Sequence, residues 1–229
     1  MLTLITQPDH AHLARRIMER CVPLASRPRR EAILHAIGEH DNGWFEEDAA
    51  PSADAATGGI ADFVSIAREV RHRVWPRAVA RLSPDPWAAA LVAQHAITVY
   101  DRFRTDAAWT PFFAQMESAR GAMVHAAGLG LTDLLDDYPF VRLGDLASLV
   151  FCTGWTADQR FGEWTVRGDG PRVIVTPGVF GEPVPIEIAA RQIRSRRFQS
   201  DADLRAEVVG ASAVTLRGTL SRPGYCPRP

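Results

Sequence analysis

A chain of 229 residues, 46% hydrophobic and 23% charged, has the size and composition of one good-sized globular domain, alone or with a small attachment. Its formal charge of -1 gives no electrostatic drive toward nucleic acid or an anionic membrane, and no apolar run approaches a membrane span. Residues 1–10 lack a basic stretch followed by an apolar one, so no signal peptide is expected. Three widely separated cysteines, Cys21, Cys152 and Cys226, form no CxxC pair, which suits a reducing cytoplasm. All 26 basic residues are arginine. A lysine Schiff base, a lysine general base and a phosphate-loop lysine are therefore excluded.

Taken in order, Leu2 to Ile5 is a short apolar run suited to an edge strand. Gln7-Pro8-Asp9-His10 reads as a helix entry, and Leu13, Ile17 and Cys21 follow at i+4 spacing until Pro23. A second helix opens near Arg27-Pro28-Arg29-Arg30. Its stripe of Ile33, Ile37 and His40 points His40 at the core, and Asn42-Gly43 ends it. Ala49 to Gly59 is rich in Ala, Pro, Ser, Asp and Gly, and is expected to be a mobile loop. A helix over 62–82 should kink or split at Pro76, and Ser83-Pro84-Asp85-Pro86 is a break. The next helix, Trp87 to Arg102, places His95 like a core residue. Another starts at Thr110-Pro111 and ends at Gly128-Leu129-Gly130. Asp133, Asp136 and Asp137 read as a solvated turn, followed by a helix from Val141 to Cys152 that carries Asp145.

After Gly154 the pattern changes. Residues 164–166, 173–176, 184–188 and 214–220 are short, β-branched or alternating, with Gly and Pro between them. Ser200-Asp201-Ala202-Asp203 looks like the cap of a short helix, and Arg191, Arg194, Arg196 and Arg197 like a charged linker. The expected fold is mainly α: a helical bundle over residues 1–154 with a small strand-containing appendage over 155–229.

The chemistry centres on His40–Asp41. Imidazole and carboxylate are ordinary ligands for zinc, iron or manganese. Four predicted helices each offer a candidate at a core-facing or helix-end position: His10, His40 with Asp41, His95, and Asp145. Each also has a structural alternative. His40 is a helix C-terminal imidazole favoured by the dipole, His10 a first-turn residue beside Asp9, His95 a satisfied core histidine, and Asp145 a helix acid. His12, His35, His72 and His125 read as surface or structural.

The order His, His-Asp, His, Asp resembles the HD superfamily of helical metal-dependent phosphohydrolases. That resemblance implies one divalent ion (manganese, iron, zinc or magnesium) on His10, His40, Asp41 and Asp145, with His95 serving a second metal or the substrate. The stretches 7–10, 36–44, 94–95 and 145–149 are also similar to a narrower bacterial family, domain-of-unknown-function family 3891, across most of the chain. At Trp44, where many HD enzymes carry a basic residue, the sequence departs from the pattern. Trp44 is then either a pocket wall or a core residue.

On this reading the chain hydrolyses a phosphoester or nucleotide. His95 would act as acid to the leaving oxygen, Gln7 would orient water, and a flexible acidic loop from Glu46 would close over the site. The alternatives are a di-iron oxygenase of HD type and a non-catalytic metal-binding or structural module. A small-molecule substrate is the expected partner, nucleic acid and membrane are not, and pairing as a homodimer stays open.

Overall fold

A computed structural model of the chain describes residues 1–221, and Cys226 lies outside the described residues. Leu2–Leu4 forms strand β1. Thr6 then caps helix α1 (Gln7–Met18), its hydroxyl accepting the Asp9 N–H at 3.1 Å, with Pro8 in the first turn. Short helix α2 (Val22–Ala25) leads to α3 (Arg30–Glu39), a 3-10 turn over Asn42–Trp44, and α4 (Phe45–Ala49). Helices α5 (Arg68–Arg81) and α6 (Pro86–Tyr100) follow, and the Asp85 carboxylate caps α6 by accepting the Ala88 N–H. Every residue from Trp87 to Ile97 is buried, so α6 is the central rod against which α3, α5, α7 (Thr110–Ala126) and α8 pack.

Helix α8 (Leu131–Thr153) is longer than the sequence pattern suggests. It runs through Pro139, because Leu134, Tyr138 and Val141 form one buried stripe whose packing outweighs the roughly 3 kcal/mol cost of an interior proline. It stops at Gly154, whose φ of 69° is left-handed. The expected solvated turn of aspartates is therefore helical. Asp137 is fully buried, accepting from Arg29 Nε at 2.5 Å and Trp87 Nε1 at 3.1 Å. Pro76 likewise sits inside an unbroken α5. The segment expected to be a mobile loop is pinned at several points. Ala53 N–H donates to Asp201, Phe198 N–H to the Gly58 carbonyl, and Arg205 to the carbonyls of Ala50 and Pro51.

The expectation of a mainly α protein with a small strand appendage is overturned. The fold is α+β. A six-stranded sheet forms a half-barrel in the order β1-β5-β6-β4-β3-β2, adding β2 (Gln159–Phe161), β3 (Trp164–Asp169), β4 (Arg172–Thr176), β5 (Val184–Ile193) and β6 (Ser212–Ser221) to β1. All pairs are antiparallel except β4 with β6. Between β5 and β6, Ser200 caps α9 (Asp201–Val209) by accepting the Asp203 N–H. The cause of the difference is one-sided burial. Val184, Ile186, Ile188 and Ala190 alternate along β5 and need a covering layer. That layer is the helical bundle, since Val166, Val175, Ile186 and Leu220 belong to the same core as Leu13, Ile17 and Leu143. The N-terminal β1 is the far edge of the sheet, Leu2 lying opposite Ile193. No helix among the described residues is long and apolar enough to cross a membrane.

Two glycines calibrate this packing. A methyl group at Gly43 would lie 2.0 Å from the Val74 carbonyl oxygen, a backbone atom of α5, whereas one at Gly121 of α7 meets nothing within 4 Å. Gly43→Ala should cost roughly 1–3 kcal/mol in urea unfolding. Gly121→Ala should stabilise by about 0.5–1 kcal/mol. Equal effects would contradict the close approach of the 3-10 turn to α5.

Candidate metal centre

Each candidate ligand is delivered by a different packed element. His10 lies in the first turn of α1, His40 and Asp41 in the link from α3 to the 3-10 turn, His95 in the middle of α6, and Asp145 in the middle of α8. All five are buried. His10 Nε2 lies 3.2 Å from His40 Nε2, 3.2 Å from Asp41 Oδ2 and 3.5 Å from Asp145 Oδ1. His40 Nε2 lies 3.3 Å from Asp41 Oδ2 and 3.6 Å from Asp145 Oδ1. Ligand bonds of about 2.0–2.2 Å in a tetrahedron put neighbouring ligand atoms roughly 3.3–3.6 Å apart. These five spacings match that scale, and the buried residues fall into two overlapping groups that could hold a metal ion, His10–His40–Asp41 and His40–His95–Asp145.

Hydrogen bonds behind the rings point the correct nitrogens inward. His40 Nδ1–H donates to the Ile37 carbonyl at 2.7 Å, which leaves Nε2 as the atom facing the cluster. The Ser148 hydroxyl gives its proton to the Asp145 carbonyl at 3.1 Å, so its oxygen accepts from His10 Nδ1–H at 2.7 Å. His10 therefore also presents Nε2. These are the outer contacts that metal-ligating histidines characteristically make.

His95 stands at the side. Its Nε2 is 3.6 Å from Asp145 Oδ2, and its Nδ1 is 3.2 Å from the Tyr138 hydroxyl. With His40 and Asp145 it forms a second potential ligand group. The same Asp145 Oδ2 is in a close ion pair with Arg142, one turn earlier on α8. Burial, with His40 and Arg142 adding, pushes the His95 ring down to about 3 against the pull of Asp145. His95 is thus neutral at physiological pH, with a proton on one ring nitrogen and a lone pair on the other.

The remaining expected residues are placed as follows. Gln7 opens α1 with its backbone N–H on Asp48 Oδ2 at 2.7 Å. Trp44 is 5% exposed and belongs to the main core. Glu46 and Glu47 are on α4 and ion-paired with Arg73, Arg77 and Arg81, so the expected acidic lid is instead a strap fixed to α5. His72 stacks on Phe112 and meets Trp109 edge-on, a structural role. Arg194 and Arg196 are spent on Glu207 and Asp203. Sequence reading missed Ser148 and Arg142. Their spacing of three from Asp145, one helical turn on either side, is the signal that marks them.

Protonation and metal compete for the same spot. Burial disfavours a charged His40 ring, but Asp41 and Asp145 outweigh it and hold His40 up at about 10. Burial likewise opposes both carboxylates, yet the histidines and, for Asp145, Arg142 keep them well below the usual range. In the metal-free protein the proton on His40 Nε2 therefore sits among the four ligand atoms. An entering ion must displace it. Apparent metal affinity should rise with pH through the neutral range, with release of close to one proton per ion; calorimetry in buffers of different ionisation enthalpy measures this. Uptake without proton release would contradict the arrangement. Ser148→Ala, which removes the acceptor of His10 Nδ1–H, should weaken binding by roughly 10- to 100-fold while the protein stays folded.

No curated protein and no solved structure gives a significant match to the chain. A family model described as "Protein of unknown function (DUF3891)" matches residues 1–196, which carry every ligand described above; the chain belongs to that family.

Proposed function

We propose that the chain is a hydrolase of a small phosphoester or nucleotide, dependent on one divalent metal ion held by His10, His40, Asp41 and Asp145. The single observation that carries this reading is that His10 Nε2 and His40 Nε2 lie 3.2 Å apart and each lies 3.2–3.6 Å from a carboxylate oxygen of Asp41 and of Asp145, all buried among helices, with both histidine tautomers set by outer partners. The ligand order along the chain is the one that the HD-type resemblance implies. Two imidazoles and two carboxylates suit zinc, iron or manganese better than magnesium.

When bound, such an ion supplies Lewis acidity, polarising an ester oxygen and acidifying water. The chain's own charges favour an anionic guest. Asp41 and Asp145 carry two negative charges, balanced without metal by His40 and Arg142. With a divalent ion in place of the His40 proton, the cluster has one positive charge to spare. That excess attracts hydroxide or an anionic substrate oxygen. Arg142 is the partly exposed member, its side chain 23% accessible, and so is placed to receive substrate oxygens at the rim. His95, held neutral by burial, orients water or accepts a proton from it more readily than it donates one. Gln7, at the mouth of α1, remains the candidate to orient that water.

The di-iron alternative draws on the second group of His40, His95 and Asp145. Arg142 opposes it, because a guanidinium already occupies the Asp145 oxygen that would face a second cation. Elemental analysis of purified protein should give one transition-metal ion per chain. A phosphoester panel should then show activity that His40→Ala and Asp41→Ala lose by several orders of magnitude, along with the metal, while remaining folded. Two irons per chain would favour the oxygenase. Wild type that binds no divalent metal at micromolar concentration would end both readings, and unfolding on metal removal would favour a structural site.

A further inference from the structure

Helix α5 carries a charge that has no counter-charge. Arg71 is 9% exposed, and a guanidinium does not shed its proton. Its Nη2 donates to the Val64 carbonyl, while its Nε is buried without an acceptor. On the same helix Arg68, Arg73, Arg77 and Arg81 are each paired with a glutamate. Among the described residues no carboxylate lies within ion-pair distance of Arg71. One turn on, Trp75 is 4% exposed, and its indole N–H has no close acceptor, only a longer interaction with the Tyr100 hydroxyl.

Trp75 lies beside the metal centre, and Arg71 one turn before it on α5. Trp75 packs on the His95 ring with 5.6 Å between centroids and meets Tyr100 edge-on at 6.2 Å. Residues 71 and 75 share one face of α5, so Arg71 lies on the side of the helix turned toward α6. An unpaired buried guanidinium is costly, and the cost is relieved only by an anion or by further acceptors. The existing acceptor, Val64, belongs to the segment between α4 and α5, and its own side chain is 53% exposed. An entering oxygen can replace that carbonyl without disturbing a helix.

We propose that Arg71 and Trp75 form an oxyanion subsite beside the metal centre, holding a phosphoryl group of the substrate. The guanidinium supplies charge and planar paired donors, and the indole N–H supplies one more. The subsite deepens the hydrolase reading and rests on it for its part in turnover; its binding of an anion does not depend on that reading.

The test is calorimetric titration of the full chain with inorganic phosphate, metal-free and metal-loaded, for wild type, Arg71→Gln and Trp75→Phe. Metal-free wild type should bind phosphate and melt at a higher temperature in its presence. Arg71→Gln should weaken phosphate binding by more than about tenfold and Trp75→Phe by roughly three- to tenfold, with metal affinity unchanged in both. If Arg71→Gln does not fold, the Trp75→Phe affinity and the wild-type melting shift carry the test. The subsite is overturned if metal-free wild type neither binds millimolar phosphate nor shifts its melting, or if both variants bind it as wild type does. Phosphate binding that requires metal and ignores Arg71→Gln would place the anion on the ion, overturning the subsite and leaving the hydrolase reading intact. Phosphate binding through Arg71 in a protein that takes up no metal would sustain the subsite and sink that reading.

Discussion

Two carboxylates withdrawn from water, Asp41 and Asp145, set the terms for the centre of this protein. Burying one such charge costs several kcal/mol unless it is matched at close range. The helices that carry the matching groups must therefore approach closely, and two glycines let them. Gly43, two residues past Asp41, lies against the α5 backbone, and Gly144, next to Asp145, lies against Met18 of α1 and Ile37 of α3. A side chain at position 144 would meet Met18 at 2.8 Å and Ile37 at 3.1 Å. The helices bearing His10, His40 and Asp145 thus close on one another at the level of the ligands.

Once the carboxylates are together, the rest of the cluster follows from proton bookkeeping. The Ile37 carbonyl and the Ser148 oxygen each take an Nδ1 proton, which sends two Nε2 atoms toward the same point. Arg142 satisfies the outward oxygen of Asp145 and keeps the region on that side cationic. This asymmetry separates a one-ion centre from a two-ion centre more clearly than a count of nearby histidines does. His95 has the position of a ligand, but the guanidinium beyond it makes a second cation unfavourable.

How much of this was legible in the sequence varies with the kind of signal. Among the helix-borne candidates, His40 and His95 were visible through their phase in apolar stripes, His10, Asp41 and Asp145 through their places on helices and the HD-type order, and the structure brings them together in two overlapping groups. The strand segments after Gly154 were visible through alternation, and the Ser200 cap through the run Ser200-Asp201-Ala202-Asp203. The breadth of the sheet was not, because β1 is three residues long and pairs with a strand that begins 180 residues later, a contact with no local signature. Helix α8 begins ten residues before the expected Val141, since the local reading of Asp133, Asp136 and Asp137 as a turn cannot register a stripe of tertiary contacts. Arg71 was hidden for a similar reason. Its lack of a partner is a property of its neighbours in space, and α5 reads as an ordinary arginine-rich helix.

The order of strands has a consequence for how the chain comes to be built. Strands β4 and β5 do not pair with each other; β6 lies between them and bonds to both. It is the last strand among the described residues, and it follows the 1–196 segment matched by the family model. During synthesis, the β2–β3–β4 ladder and the β1–β5 ladder therefore emerge as two unconnected ribbons with open inner edges. All the ligand residues, by contrast, lie at or before position 145 and emerge well ahead of β6. The helices that carry the candidate ligands are thus made early and the sheet-closing strand late. The exposed inner edges of β4 and β5 are the places where a partly made chain is most open to pairing with a neighbour.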